Sequence, residues 1–175
     1  MVFISGSNFH LFFLVFLLNV ISLGADPITG VCSFTQDPTF CTKAFQSDPR
    51  SRTADFAELE IIAIDLGTKS AKNTSAEIRS LISGAKDFRS KSSYTQCGSF
   101  YEGIIDSLSQ AKNNSKAGNH VDVNLQGKSI INYAVECDEL LNEPPPVQSP
   151  VLSQDNLFAR RYGEMIAVVS KRLLH

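Results

Sequence analysis

The chain has 175 residues, with 16 Lys and Arg against 18 Asp and Glu, and its formal net charge is −2. A slightly acidic chain with no block of basic residues lacks the electrostatic attraction that nucleic acids and other polyanions require. The charge balance therefore argues against nucleic acid as a partner. The absence of Trp also removes one common anchor of carbohydrate-binding faces.

The first predicted element is an apolar run over residues 11–21, which has the character of a secretion signal. Small residues follow at Ser22, Gly24 and Ala25, as is typical near a signal-peptide cleavage site. The run is shorter than the roughly 20 apolar residues of a membrane helix, and Asn19 interrupts it. We therefore predict a signal peptide over 1–25, with a retained membrane anchor as the alternative. The remaining chain of about 150 residues has the size of one domain.

Four cysteines follow the predicted signal: Cys32, Cys41, Cys97 and Cys137. In an oxidising compartment an even number of cysteines is more typical of disulfides than of a metal site. One straight helix would hold Cys32 and Cys41 about 13 Å apart, whereas a disulfide needs a Cα separation of roughly 4.4–6.8 Å. If these two are bonded, the chain must reverse, and Asp37-Pro38 is the natural place. This predicts a helical hairpin over 26–50.

From residue 53 onwards, apolar residues recur at helical spacing. They predict one long helix over about 54–84, with a break near Gly67 as the alternative. Thr53 is the expected N-cap, with Asp55 in the first turn, where the helix dipole favours an acid. The next helix is predicted to start at Ser92 or Ser93 and to stop within 113–119. Its apolar stripe consists of Cys97, Phe100, Tyr101, Ile104, Leu108 and Ala111.

Two further helices complete the pattern. The third is predicted through residue 141 and ends before three consecutive prolines, although Asn124 and Gly127 are poor helix formers in its first turns. The last starts at Ser153 or Asp155 and ends near residue 172. No strand-like alternation of useful length occurs, so the fold class is all-α. An up-down-up-down four-helix bundle over 51–175 is the most economical packing.

The second cysteine pair fits this bundle. Cys97 lies early in the second long helix and Cys137 late in the third, so antiparallel neighbours would bring them together. Closing this loop of about 40 residues is worth roughly 4 kcal/mol in the chain-entropy model. Four cysteines allow three connectivities, and the local pairing is the one consistent with the helix directions.

Catalytic and metal-binding patterns were not found in the sequence. His10, His120 and His175 are expected in the leader, in a loop and at the terminus, and none has a spacing to cysteine that suits zinc. Nothing resembles a nucleophile elbow or a phosphate-binding glycine loop. We therefore predict no catalytic residue, no metal and no cofactor.

Two Asn-X-Ser/Thr sequences match the acceptor pattern for N-glycosylation. Asn73 begins the first and is expected on the first long helix. Asn113 begins the second and is expected in the loop after the next helix, which makes it the better acceptor. Both are predicted glycosylation sites.

Several motifs together resemble the plant invertase/pectin methylesterase inhibitor family. The most specific are Ser47-Asp48-Pro49-Arg50, Tyr94-Thr95-Gln96-Cys97 and Ile105-Asp106-Ser107-Leu108. The resemblance covers essentially the whole mature chain. It implies a hairpin closed by the first cysteine pair, and a four-helix bundle whose second and third helices are joined by the other pair.

The resemblance is closer to the pectin methylesterase (pectinesterase) branch of the family. Inhibitors of invertase typically carry Pro-Lys-Phe between the second and third bundle helices, and residues 114–118 contain no such motif. One departure concerns the residue before the fourth cysteine. It is commonly Thr in pectinesterase inhibitors and is Glu136 here, where its charge would weaken or redirect binding.

The resemblance implies a secreted inhibitor of the apoplast and cell wall with no chemistry of its own and no stable membrane association after signal cleavage. It would dock one-to-one on pectin methylesterase and occlude the cleft that binds pectin. One alternative target is a cell-wall or vacuolar acid invertase. An alternative of another class is a helical carrier of an apolar ligand. The expected contact residues are polar side chains of the second and third bundle helices, namely Glu102, Asp106, Gln126, Lys128, Asn132 and Glu136.

Overall fold

The structure of the protein is a computed structural model that describes residues 26–174. Two short helices, a 3₁₀ turn at Pro49–Arg52 and four long helices make up this part of the chain, which contains no strand. The α-helices are α1 (Pro27–Cys32), α2 (Pro38–Gln46), α3 (Phe56–Gly84), α4 (Phe88–Lys116), α5 (His120–Asn142) and α6 (Pro150–Arg172). The predicted all-α class is confirmed.

The four long helices form the predicted bundle. Each packs against its neighbour in sequence, and α3 and α6 close the ring. Short connections between consecutive helices make the neighbours antiparallel, which gives the up-down-up-down order. The core is aliphatic, and its fully buried side chains include Leu59, Ile62, Ile104, Leu108, Ile130, Leu141, Leu152 and Met165.

The N-terminal hairpin reverses where the sequence indicates. Cys32 and Cys41 are bonded, with their Cα atoms 5.5 Å apart. Asp37 caps α2 by accepting the backbone N–H of Phe40 at 2.8 Å, and Pro38 occupies the first helical position, where its missing N–H costs nothing. The local disulfide and this cap fix the angle between α1 and α2.

Aromatic contacts attach the hairpin to α6. The ring of Phe40 lies 5.7 Å from that of Phe158 and 5.2 Å from that of Tyr162, measured between centroids. Arg161 contributes an ion pair to Asp37 at 2.6 Å and lies over the Phe40 ring. The hairpin is therefore packed on the last helix of the bundle.

Helix starts differ from the predictions by several residues. Helix α3 begins after Asp55 and not after Thr53, because Asp55 and Glu58 form a reciprocal capping box that satisfies two backbone N–H groups at once. Helix α4 begins after Asp87, which accepts the N–H of Ser90, and not at Ser92 or Ser93. Helix α3 runs through Gly67 without a break.

The connection between α4 and α5 is shorter than predicted. Helix α4 continues to Lys116, and Gly118 makes the turn with a positive φ of 71°. Asn119 then caps α5 by accepting the N–H of Asp122.

Helix α6 also starts earlier than the predicted Ser153. Pro150 occupies its first position, where the fixed φ of proline suits a helix.

Close contact between two glycines sets the distance between α5 and α6. A Cβ on Gly127 would lie 2.7 Å from the carbonyl oxygen of Gly163, and a Cβ on Gly163 would lie 2.7 Å from that of Gly127. The two backbones thus approach more closely than any side chain allows. This packing explains why a poor helix former occurs in the first half of α5.

Candidate functional site

The six predicted contact residues lie on the outer sides of α4 and α5. Glu102 and Asp106 are one turn apart on α4, and both are exposed. On α5, Gln126 is half-buried, whereas Lys128, Asn132 and Glu136 are exposed. The structure divides them into two groups, one along the seam between the helices and one along the outer ridge of α5.

A chain of hydrogen bonds crosses the seam. Gln110 donates through Nε2 to Asp106 Oδ2 at 2.6 Å, and Gln126 donates through Nε2 to Gln110 Oε1 at 3.2 Å. Asp106 and Gln126 are therefore connected across the two helices through a third side chain. Gln110 could not be selected from its own helix, because its role depends on the register between α4 and α5.

The ridge consists of Lys128, Asn132 and Glu136, which recur every four residues and so share one face of α5. Lys128 stands at the edge of this ridge nearest α6. It lines a hollow together with Asn124 and Ile131. The predicted contact residues thus extend from the α4–α5 seam to the outer ridge of α5.

An aromatic side chain fills the middle of the seam. The Tyr133 ring lies directly over Gly103, where an added Cβ would be 2.8 Å from Tyr133 Cζ. The Phe100 ring is 6.5 Å away, centroid to centroid. Tyr133 is only partly buried, so it presents a fixed ring beside the polar bridge. The sequence did not predict this contact, because it depends on which residue of α4 lies at the height of Tyr133 on α5.

Two features hold α4 and α5 in register beneath this face. Cys97 is bonded to Cys137, with Cα atoms 5.0 Å apart. Tyr101 donates its hydroxyl to Asn156 Oδ1 at 3.0 Å, and Asn156 donates to Asp138 Oδ1 at 2.8 Å. Burial of the Tyr101 hydroxyl raises its pKa far above the usual value, so the hydroxyl stays a donor. The covalent bond and the network connect three helices under the candidate face.

A second charged group joins the 3₁₀ turn, α3 and α4. Arg50 holds Asp48 at 2.7 Å and Asp65 at 3.1 Å, and Lys112 holds the other oxygen of Asp65 at 2.7 Å. The hydrogen bond from Arg50 lowers the pKa of Asp48. Partial burial opposes ionisation of Asp65, but the bonds from Lys112 and Arg50 outweigh it and lower its pKa. This network stabilises the fold and lies away from the candidate face.

His120 is not the loop residue that the sequence predicts. It is the first residue of α5, and its Nδ1 lies 3.1–3.2 Å from both carboxylate oxygens of Glu60. The Glu60 side chain is 0% exposed. Within residues 26–174, no group of three or more His, Cys, Asp or Glu side chains could hold a metal ion. The pair is therefore a structural contact between α3 and α5.

The two glycosylation sequences both lie on helices. Asn73 is exposed in the middle of α3. Asn113 is exposed in the last turn of α4, and the expected loop position is wrong because α4 runs one turn further. Glycosylation at either residue stays a prediction. The helices within residues 26–174 are also all too short or too polar to span a membrane.

A protein-family model described as plant invertase/pectin methylesterase inhibitor matches residues 26–169. The chain belongs to this family. The resemblance inferred from the cysteine flanks is therefore confirmed, and so is the expectation of an inhibitor and not an enzyme, since the similar proteins are named as inhibitors.

Individual members of the plant invertase/pectin methylesterase inhibitor family give the same result. A "Pectinesterase inhibitor" of Actinidia deliciosa is 33% identical over 146 residues, covering 83% of this chain and 78% of that protein. "Pectinesterase inhibitor 2" of Arabidopsis thaliana is 27% identical, covering 72% and 74%. A "Putative invertase inhibitor" of Platanus acerifolia is 22% identical, covering 90% and 91%.

Solved structures of the family share the fold. A mutant form of a pectin methylesterase inhibitor from Arabidopsis superposes with a TM-score of 0.75, at 22% identity, over 84% of this chain and 97% of that one. A second crystal structure of a pectin methylesterase inhibitor from Arabidopsis thaliana gives a TM-score of 0.65. At these identities the likeness establishes the fold alone, which is the predicted bundle.

Proposed function

We propose that the protein is a secreted inhibitor of pectin methylesterase that docks one-to-one and covers the pectin-binding cleft of the enzyme. The observation that carries this proposal is the 33% identity, over 83% of this chain, to a protein named as a pectinesterase inhibitor. The apolar leader over residues 1–25, which lies outside the described residues, is the reason for proposing secretion to the apoplast and cell wall.

The geometry of the α4–α5 face suits inhibition by occlusion. A surface that is ordered before docking loses less conformational entropy on binding. Here the Cys97–Cys137 bond, the Tyr101 network and the Gln110 bridge all restrain the two helices that carry the face. The seam offers an aromatic ring, Tyr133, surrounded by polar side chains, which is a common composition of protein interfaces.

The alternative target is an acid invertase, because one relative carries that name. The short turn between α4 and α5 argues for pectin methylesterase. Only residues 117–119 separate these helices, and they read Ala-Gly-Asn, so the Pro-Lys-Phe motif of invertase inhibitors is missing.

The decisive experiment mixes the oxidised mature protein separately with a plant pectin methylesterase and with an acid invertase. We expect loss of pectin demethylation at one molar equivalent, a one-to-one complex in size-exclusion chromatography, and unchanged sucrose hydrolysis. Inhibition of invertase alone would select the alternative target. Full activity of both enzymes in the presence of excess protein would contradict the proposal.

A matched pair of variants tests the location of the face. Glu136→Trp places a bulky ring on the α5 ridge, whereas Glu77→Trp places the same ring on the exposed side of α3. We expect the first to raise the inhibition constant by about tenfold or more, equivalent to 1.4 kcal/mol, and the second to change it by less than about twofold. Equal effects would exclude the α5 ridge as part of the contact.

A second substitution at the same position tests the departure from the pectinesterase branch. Glu136→Thr introduces the residue that the branch commonly carries and removes a charge that must be desolvated on docking. We expect the inhibition constant to stay the same or to fall. A clear rise would show that Glu136 itself makes a favourable contact with the target.

A further inference from the structure

A hollow lies on the other side of α5, between α5, α6 and the turn that joins α1 to α2. It encloses about 610 Å³, within the range of roughly 300–1,000 Å³ that small-molecule sites occupy. Its apolar surface comes from Phe34, Ile131, Ala167, Val168 and Leu174. The hollow opens to solvent and does not enter the bundle core. It therefore resembles a binding site for a small ligand more than a packing defect.

Positive charge surrounds this apolar surface. Lys128, Lys171 and Arg172 line the hollow, and Glu164 is the one carboxylate among its lining residues. Glu164 Oε1 already accepts the backbone N–H of Gln36 at 2.9 Å. Neither lysine forms an ion pair with any residue in the range 26–174. Three cations against one carboxylate make a local positive site on a chain whose net charge is −2.

One wall of the hollow is held in place by its own contacts. The Arg172 guanidinium lies 4.3 Å from the centroid of the Phe34 ring, and its Nη2 donates to the carbonyl oxygen of Gly30 at 2.9 Å. Phe34 is 63% exposed, yet this cation–π contact fixes its ring against the end of α6. The aromatic wall is thus formed before any ligand arrives.

We propose that this hollow binds a single-chain amphipathic carboxylate, with its alkyl chain along the apolar surface and its carboxylate at Lys171. An acyl chain matches the surface because most of the exposed lining is apolar, with the charged groups beside it. The Asn124 side-chain N–H already donates to Ala167 O at 2.6 Å. A sugar acid would leave its hydroxyls without partners on such a surface. A cationic amphiphile would face like charges from the two lysines.

This site is separate from the proposed inhibitory face. The hollow opens between α5 and α6, whereas the seam with Tyr133 lies between α4 and α5. Lys128 is the one predicted contact residue that borders both. The proposal therefore does not depend on inhibition of pectin methylesterase, and each can be tested without the other.

The experiment titrates the oxidised mature protein with dodecanoate below its micellar concentration, using calorimetry and ¹H–¹⁵N spectra. We expect saturable one-to-one binding with shifts at Ala167 and Val168. Dodecyltrimethylammonium tests the charge, and trigalacturonate tests whether an anion without an alkyl chain suffices. Both should bind at least about tenfold more weakly than dodecanoate.

Two charge reversals make a matched pair for the same titration. Lys171→Glu should weaken dodecanoate binding by about tenfold, whereas Lys86→Glu, an exposed lysine between α3 and α4, should change it by less than about twofold. A cooperative thermal unfolding transition is required of each variant as the control for folding. Absence of saturable binding, shifts confined to other surfaces, or equal effects of the two reversals would each overturn the proposal. So would equal binding of either control ligand.

Discussion

Replacing His120 with Ala should lower the free energy of unfolding by much more than a substitution at an exposed position usually does. Both carboxylate oxygens of Glu60 are within 3.2 Å of His120 Nδ1, and the Glu60 side chain is 0% exposed. Removing one partner of a buried pair costs about 3–5 kcal/mol. Because the His120 side chain is 20% exposed, water can reach the carboxylate in the variant, and we expect a loss of about 2–4 kcal/mol.

The loss is measured by urea unfolding of the disulfide-intact protein, followed by circular dichroism. For a domain of this size it corresponds to a fall in Tm of roughly 5–15 °C. Glu60→Gln keeps a polar partner for His120, so it should cost less. The double variant Glu60→Leu with His120→Leu removes both polar partners together and should be within about 1 kcal/mol of wild type. A cost below about 0.5 kcal/mol for His120→Ala, typical of exposed positions, would refute this reasoning.

Three further changes have expected outcomes in the same unfolding assay. Gly127→Ala would place a Cβ 2.7 Å from the Gly163 carbonyl oxygen, so α5 and α6 must separate at a cost of about 1–3 kcal/mol. The double variant Cys97→Ala with Cys137→Ala should lose about 4 kcal/mol, because the unfolded chain regains the freedom of a loop of about 40 residues. Asp65→Asn should cost about 1 kcal/mol or less at about pH 6. Since the folded pKa of Asp65 is lowered, its contribution is present above about pH 4 and is lost as the pH falls through the folded pKa, where variant and wild type converge.

Each of these outcomes has an internal control. Gly84→Ala adds a Cβ with no atom within 4 Å, so a loss equal to that of Gly127→Ala would show that helix contact is not the cause. Opening only the Cys97–Cys137 bond of the wild type should give the stability of the cysteine variant, which keeps the Cys32–Cys41 bond, and opening both bonds should lower the stability further. A difference between Asp65→Asn and wild type that persists unchanged at about pH 2 would contradict the ionic explanation.

The sequence predicted helices well and their first residues poorly, for a physical reason. Apolar stripes at a spacing of three and four residues determine which face is buried, so the bundle followed from them. Helix starts depend on which polar side chain reaches a backbone N–H group. Asp55 and Asp87 do so, whereas Thr53 and Ser92 were equally acceptable by residue type.

The candidate face was predictable in outline only. Exposure of Glu102, Asn132 and Glu136 followed from their position opposite the apolar stripes. The Gln110 bridge and the packing of Tyr133 on Gly103 required the relative height of two helices, which no spacing within one helix specifies. The contact between His120 and Glu60 was missed for the same reason, since 60 residues separate them.

The hydrogen bond from Arg172 to the carbonyl of Gly30 has a consequence for resistance to proteolysis. It joins the last turn of α6 to α1 in the hairpin. Neither helix can therefore unfold locally without loss of a contact to the other. Extracellular proteases need a stretch of extended backbone to begin cutting. Because this bond joins the two ends of the described fold, residues 26–174, that part of the chain offers few starting points for cleavage, and its lifetime is then set by unfolding of the whole bundle.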